Sequence, residues 1–329
     1  MTVLAPLLQA FFTDRLQRQR QASPHTIKAY KITFTLLLRF AQDRLEKPPN
    51  QLCLEELDAP LIAAFLHHLE ADRKNCVRTR NARLAAIHSF FHYIAMLVPD
   101  QAHLIKRVLD IPQKRFERRL VDFLTPQETE ALLAAPNRTT HLGRRDHVLL
   151  LLASQTGLRA SELLALCPEQ IVSGGHPHIR CVGKGRKERC VPLTRQVLRC
   201  LKVWLKERGQ RPTDPLFPSS RGGPLSLDAL EKLVNKHAAS AARSCPTLRE
   251  KRVSPHTLRH TAAMQLRAAG IDLSVIALWL GHESVETTQI YLHADLASRE
   301  NAVSRLTPVS NGYRRFKADD SLLRFLEAL

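Results

Sequence analysis

The chain is poor in the features that mark several large protein classes. No apolar run among its 329 residues approaches the ~20 needed to cross a bilayer. One such run, Val148 to Ala153, is stopped by Ser154 and Gln155 and reads as a buried helix. The seven cysteines (Cys53, Cys76, Cys167, Cys181, Cys190, Cys200 and Cys245) are odd in number, widely spread and never in a CxxC pair. That argues against a disulfide framework or a zinc site, and for free thiols in a reducing compartment. Acidic residues are sparse and scattered, with no DxD, so the converging carboxylates of a two-metal nuclease are missing. The GKG at 183–185 lacks the upstream glycine of a phosphate-binding P-loop and lies between strands, so ATP is not implied. The start, MTVLAPLLQAFFTDR, lacks the basic opening of a secretory signal, and a cytoplasmic protein is expected.

What the chain does have is positive charge. Lys and Arg total 49 against 31 Asp and Glu, a formal net charge of +18. Such a balance points to a polyanionic partner, most simply nucleic acid. With 44% hydrophobic and 24% charged residues the composition is that of an ordinary globular protein. At roughly 150 residues per domain, about two domains are expected.

The first hundred residues read as a helical bundle. Ser23 followed by Pro24 is a cap with a first-turn proline, and Ile27, Tyr30, Phe34, Leu37, Leu38 and Ala41 then share one helical face. Pro48-Pro49, just after Lys47, is expected to end that helix. Leu61, Phe65 and Leu69 mark a second stripe, and Leu84, Ile87, Phe91 and Ile94 a third. The approach to that third helix carries Arg78, Arg80 and Arg83, which are expected to lie outside and contact phosphates. From about Gln101 to Val121 no amphipathic period is clear, so an exposed linker is expected. Its Lys114, Arg115, Arg118 and Arg119 suit a DNA backbone. The expected boundaries are a helical domain at 1–108, a linker at 109–118, a second domain at 119–305 and a tail at 306–329. The second domain opens at Thr125-Pro126, a cap and first-turn proline. It is mostly helical, with one hairpin: His178 to Val182 and Glu188 to Leu193 flank a glycine-rich turn. The tail holds Phe316, Leu322, Leu323, Phe325, Leu326 and Leu329, a candidate amphipathic helix.

Four short segments could carry chemistry. In Thr156-Gly157-Leu158-Arg159-Ala160-Ser161-Glu162, Gly157 ends one helix and Arg159 begins the next, where a guanidinium beside backbone N–H groups can seat a phosphate. Glu162, one turn on, could orient it. Lys184 at the hairpin tip could donate a proton, or be one lysine among many. His256 and Arg259 share a helix face. His256 and His260 have the spacing of a zinc-binding pair, but Thr257 stands where the metalloprotease glutamate belongs and Arg259 would repel a dication, so no metal is expected. Gly281-His282 precedes a stretch, capped by Ser284, that carries Thr287, Thr288 and Tyr291.

Taken together, TGLRASEL, GKGRKERCVPL, HTLRH and LGHESVETTQIYLH resemble the tyrosine recombinase (phage integrase) family, in its simple form without an arm-binding domain. The family order Arg, Lys, His-x-x-Arg, His, Tyr is complete, and His282 precedes Tyr291 by nine residues. SPHTIKAY near the start resembles the family's core-binding domain. The resemblance implies a mainly α fold with a small β-hairpin: a helical, SAM-like core-binding domain and an α+β catalytic domain closing as a C-shaped clamp on DNA. It implies that Tyr291 attacks a phosphodiester to form a 3′-phosphotyrosyl link and that Arg159 and Arg259 clamp the non-bridging oxygens. His256 and His282 would donate hydrogen bonds or handle the tyrosine proton, Lys184 would protonate the departing 5′-oxygen, and Glu162 would hold Arg159. No cofactor is needed, because the covalent link conserves the phosphodiester energy. The implied partner is double-stranded DNA with paired half-sites, bound by a homo-tetramer or together with a related recombinase, in the bacterial cytoplasm at the nucleoid. The implied roles are integration, excision, resolution or transposition of a mobile element.

Two other classes share features with this reading. A type IB topoisomerase uses similar phosphotyrosine chemistry but relaxes any supercoiled plasmid without site dependence, and a non-catalytic DNA-binding relative forms no covalent adduct. The charge argument yields a measurable expectation. DNA affinity should fall steeply between low and physiological salt in a gel-shift titration, and a flat response would count against it.

Overall fold

In the computed structural model residues 2–116, 121–183, 188–208, 214–282, 287–289 and 291 are described. The chain divides into two compact units, Met1–Arg118 and Arg119–Leu329.

The first unit is built from α1 (Leu4–Ala10), α2 (Pro24–Leu45), α3 (Ala59–Ala71), α4 (Val77–Ile94) and α5 (Ala102–Leu109). Ser23 caps α2 by accepting from the Thr26 N–H, and Asp58 caps α3 by accepting from the Leu61 N–H. Sequence periodicity assigns no element before Ser23. Yet α1 runs on through a wider π-type stretch, Phe11–Gln19, and buries Leu4, Phe11 and Leu16. The Phe11 ring meets Phe34 and Phe90 edge-on with centroids 6.1 and 5.5 Å away, an aromatic cluster that ties this N-terminal segment to α2 and α4. Backbone bonds between Leu4 and Leu52 (3.1 Å) and between Leu54 and Thr2 (2.8 Å) anchor its beginning.

Two expectations need correction here. The stretch after Gln101 is not all exposed linker: α5 buries Ile105 and Val108 one turn apart, an apolar pair masked in the sequence by the intervening Lys106 and Arg107. Nor does α4 leave all three arginines outside. Arg80 is buried, and its guanidinium donates to the Pro112 carbonyl (2.9 Å) and to Asn81 Oδ1 (3.1 Å). Asn81 in turn holds Lys114 through both its backbone N–H and its carbonyl. The polar side of α4 is thus used to fasten the segment after α5. Arg83 is half-buried against the Ala29 carbonyl and Thr33, whereas Arg78 is exposed over the Phe116 ring. Lys114 and Arg115 are exposed, Lys114 pairing with Glu70, and Arg118 and Arg119 lie outside the described residues.

The second unit carries α6 (Pro126–Ala134), α7 (His141–Thr156), α8 (Ala160–Leu164), β1 (Ile171–Val172), β2 (His178–Val182), β3 (Glu188–Pro192), α9 (Arg195–Arg208), α10 (Leu227–Ala241), α11 (Pro255–Ala268) and α12 (Leu273–Leu280). A Thr125/Glu128 capping box opens α6 at the expected position. The run Val148 to Ala153 is fully inside, and α7 is the central helix of this unit. The hairpin forms with Ile179 opposite Val191 and Cys181 opposite Arg189. A two-residue strand, β1, adds to β2 to make a three-stranded antiparallel sheet in the order β1-β2-β3. Deep in the unit Asp146 of α7 accepts from Arg145 and pairs with His237 of α10 (2.8 Å), so the two helices share a buried charge that is hydrogen-bonded on both oxygens. The overall character is mainly helical with a small sheet. The C-terminal tail expected at 306–329 lies outside the described residues. Among the described residues no helix is long and apolar enough to cross a membrane.

Candidate active site

The site grows from the ends of two helices. α7 ends at Gly157 and α12 at Gly281, both in the left-handed conformation (φ +64° and +66°) that side chains with a Cβ rarely adopt. A Cβ on Gly157 would also stand 2.6 Å from Leu280 Cδ2. Beyond Gly281 the chain closes a Schellman motif: the N–H groups of Gly281 and His282 donate to the carbonyls of Leu278 (3.1 Å) and Ala277 (2.9 Å). The next three carbonyls have no partner within the helix. Each accepts from a different arginine: Trp279 O from Arg189 Nε (3.1 Å), Leu280 O from Arg259 (2.7 Å) and Gly281 O from Arg159 (2.7 Å). Arg259 reaches across to the end of α7 as well, donating to Gly157 O at 2.6 Å, and Trp279 Nε1 donates to Thr156 O at 3.0 Å. Three guanidiniums therefore sit at the negative end of α12, where cations are favoured.

One carboxylate holds this group together. Glu162 accepts from both nitrogens of the Arg189 fork (2.8 and 2.7 Å), from the Arg159 guanidinium (2.9 Å) and from the Arg159 backbone N–H (2.8 Å). Burial works against its charge. The hydrogen bonds from Arg189 and from the Arg159 backbone, together with the Arg189 charge, outweigh it and lower its pKa to about 2. Three guanidiniums against one carboxylate leave a positive surplus. Burial and the neighbouring Arg159 bring even Arg259 down to about 10. This is the electrostatic signature of a seat for an anion.

The remaining candidates surround that seat. Tyr291 is buried, packed against Ala263, Ile276 and Leu280, and its hydroxyl lies 3.0 Å from His260 Nδ1. Burial raises its pKa to about 12, with Arg259 pulling the other way. His282 Nδ1 is 2.8 Å from Thr288 Oγ1, and burial followed by the charges of Arg259 and Arg159 lowers its pKa to about 4. His256 reaches the surface. Partial desolvation and the same two arginines lower its pKa, and its ring stands edge-on to His260 with centroids 5.0 Å apart. The structure thus gathers Arg159, Glu162, His256, Arg259, His282 and Tyr291. Lys184 and Ser284 lie outside the described residues. Arg78, Arg80, Arg83, Lys114 and Arg115 belong to the other compact unit.

Sequence reasoning passed over two members of the cluster. Arg189 alternates with Val191 on the inner face of β3, and an arginine on the buried side of a strand is a signal that an acid awaits it. His260 was weighed only as a metal ligand. Its position one residue after Arg259 is what turns it toward Tyr291. Among the described residues no cluster of three or more His, Cys, Asp or Glu side chains could hold a metal ion.

Comparison with known proteins agrees with the motifs. Residues 122–297 match the phage integrase family, and residues 10–96 match the N-terminal SAM-like domain of phage integrases. The class is that of tyrosine recombinases, enzymes that cleave and rejoin DNA at specific sites. The chain belongs to the phage integrase family, as its four motifs lead one to expect. It is 54% identical to the integrase/recombinase-type protein y4rC of Sinorhizobium fredii, over 99% of this chain and 98% of that one. It is 33% identical to the tyrosine recombinase XerC of Pelobacter propionicus, over 89% and 93%. Among solved structures it resembles the XerH site-specific recombinase bound to its difH substrate before cleavage, with a TM-score of 0.64 and 27% identity over 87% of this chain and 81% of that one.

Because the folded pKa of Glu162 lies below its ordinary value of 4.5, its charge contributes stability that is fully present above about pH 4.5 and is lost as the pH falls through about 2. Glu162→Gln should therefore cost about 3 kcal/mol at pH 7 in denaturant unfolding of the full chain. The gap from wild type should close as the pH drops below 4.5. A gap that stays constant with pH would show that the carboxylate is not the stabilising group.

Proposed function

We propose that Tyr291 is the nucleophile of a site-specific recombinase that acts on paired DNA half-sites, for integration, excision, resolution or transposition of a mobile element. The observation that carries this reading is the meeting of Arg159 and Arg259 at consecutive carbonyls, Gly281 and Leu280, with Tyr291 close enough to Arg259 for that charge to favour its ionised form. Each guanidinium has two nitrogens tied to fixed partners and keeps further N–H groups to donate to the non-bridging oxygens of a scissile phosphate. As the Tyr291 oxygen bonds to phosphorus, negative charge grows on those oxygens, and donors already oriented need little reorganisation. His256 and His282 add hydrogen bonds to the same centre, Glu162 keeps Arg159 in position, and Lys184 protonates the departing 5′-oxygen. The product is a 3′-phosphotyrosyl ester, whose retained bond energy allows another 5′-hydroxyl to reverse the attack and seal the strand. Neither a nucleotide nor a metal is needed for that exchange.

DNA contacts outside the site fall to Arg78, Arg83, Lys114, Arg115, Arg118 and Arg119. The boundaries 1–108, 109–118, 119–305 and 306–329 correspond to core-binding domain, basic linker, catalytic domain and docking tail. Four protomers act on two sites, alone or with a related recombinase, in the bacterial cytoplasm at the nucleoid. The apolar spacing in the tail supports a role in docking to a neighbouring protomer through head-to-tail contacts that close a ring. The DNA-bound XerH relative supports a recombination-site substrate.

A nicked duplex that traps cleavage, selected from a randomised library by the wild-type protein, tests the chemistry. Wild type should form a covalent adduct, and Tyr291→Phe should bind equally and form none. An adduct with the phenylalanine variant would refute the assignment. Deleting Asn311 to Leu329 should weaken assembly on two-site DNA while leaving single-site binding and folding intact. Unchanged synapsis in a gel-shift assay would count against the docking role.

A further inference from the structure

We infer that His260 is the residue that takes the Tyr291 proton during strand cleavage. This rests on Tyr291 being the nucleophile. The argument begins with geometry. Among the described residues, the hydrogen-bond partner of the reacting oxygen is the His260 ring, whose Nδ1 lies 3.0 Å from the Tyr291 hydroxyl and can accept its proton. The two histidines of the recombinase motif are otherwise placed: His282 Nδ1 is engaged with Thr288 Oγ1, and His256 stands beyond the His260 ring. His260 is held by α11, the same helix that carries Arg259, so the acceptor and one arm of the phosphate clamp share a single rigid element. Ala263, one turn further along that helix, packs with Tyr291 in the same apolar cluster and fixes the distance between the rings.

The protonation states agree with this geometry. Burial, then the adjacent His256 and Arg259, lower the His260 pKa to about 4 against the opposing pull of Asp122, so the ring is neutral at physiological pH. With its proton on Nε2, a neutral imidazole presents the Nδ1 lone pair to the phenol. Burial holds the Tyr291 hydroxyl near 12, so its proton stays on oxygen at physiological pH. Attack changes the order. A phenolic oxygen acquiring a bond to phosphorus becomes a strong acid, far below His260, so the acceptor's basicity lies between the starting and final acidity of the nucleophile. That is the condition under which a general base is effective. A phosphate seated on Arg159 and Arg259 also offsets the positive charge that suppresses His260. The step is balanced: the Tyr291 O–P bond forms and its proton passes to His260 Nδ1, while the P–O5′ bond breaks and its electron pair leaves on the 5′-oxygen, which takes a proton from Lys184. Resealing returns the His260 proton to Tyr291.

Single-turnover cleavage of the same nicked duplex by the full chain tests the inference. Asparagine places an acceptor oxygen near the Nδ1 position but is no base, so His260→Asn separates holding the hydroxyl from receiving its proton. His260→Asn and His260→Ala should bind the duplex as wild type does and form the adduct about 100-fold more slowly or worse. Added imidazole should restore part of the rate to His260→Ala. A 5′-phosphorothiolate at the scissile position, whose leaving group needs no proton, should rescue neither variant. Adduct formation by either variant within about threefold of wild type would overturn the inference, and so would rescue by the thiolate leaving group. If instead Tyr291→Phe still yields an adduct, the failure lies in the assignment of the nucleophile.

Discussion

Three arginines satisfy the three orphan carbonyls at the end of α12, and the rest of the catalytic unit is arranged around that contact. A helix C-terminus must find donors for carbonyls with no partner inside the helix. Here Arg189, Arg259 and Arg159 meet this need in sequence on Trp279, Leu280 and Gly281. The contact orients the guanidiniums by fixed backbone rather than by mobile side chains, and the helix dipole favours the charge they bring. It requires left-handed turns at Gly157 and Gly281, because a continuing helix would cover the same carbonyls with its own N–H groups. Preorganisation at the site is thus a by-product of ending two helices correctly.

Concentrating positive charge has a cost, visible in Arg259, whose pKa burial and Arg159 bring down to about 10. Glu162 offsets part of it. Because it binds both Arg189 and Arg159, it links β3 to the start of α8 and leaves one guanidinium less free than it would otherwise be. The positive charge that remains unbalanced is of the kind that an anion would neutralise. Within this cluster the Tyr291 phenol is protonated and the half-buried imidazoles of His260 and His282 are neutral at physiological pH.

Much of this was legible from residue order, and the failures are instructive. The helix α2 and its Ser23 cap, the Thr125 capping box and the β2–β3 hairpin follow from local rules, since caps, prolines and alternation act over a few residues. The helix α5 is hidden in the sequence because two buried residues, Ile105 and Val108, separated by two cations make a weak pattern. Arg80 looked like a phosphate contact because sequence shows charge but not direction. Its guanidinium turned out to be engaged with the Pro112 carbonyl, thirty-two positions away in the chain. Arg189 is illegible for the opposite reason: two β-prone runs around a glycine-rich turn predict a hairpin, and nothing in that pattern distinguishes an arginine that faces Glu162 from its neighbours.

The sequence by itself determined the chemistry available. The order of arginine, lysine, histidine and tyrosine motifs, the glycines that end α7 and α12, and the family to which the chain belongs can all be read without coordinates, because each depends on residue type and spacing along the chain. Only the tertiary structure decided which of those groups meet. The pairing of Glu162 with Arg189, the seating of Arg259 between two helix ends and the contact of His260 with Tyr291 join residues separated by 27, 102 and 31 positions. Packing of α11 against α7 and α12 creates the second and third of these contacts, the approach of β3 to α8 creates the first, and no local pattern encodes which side chain will face which.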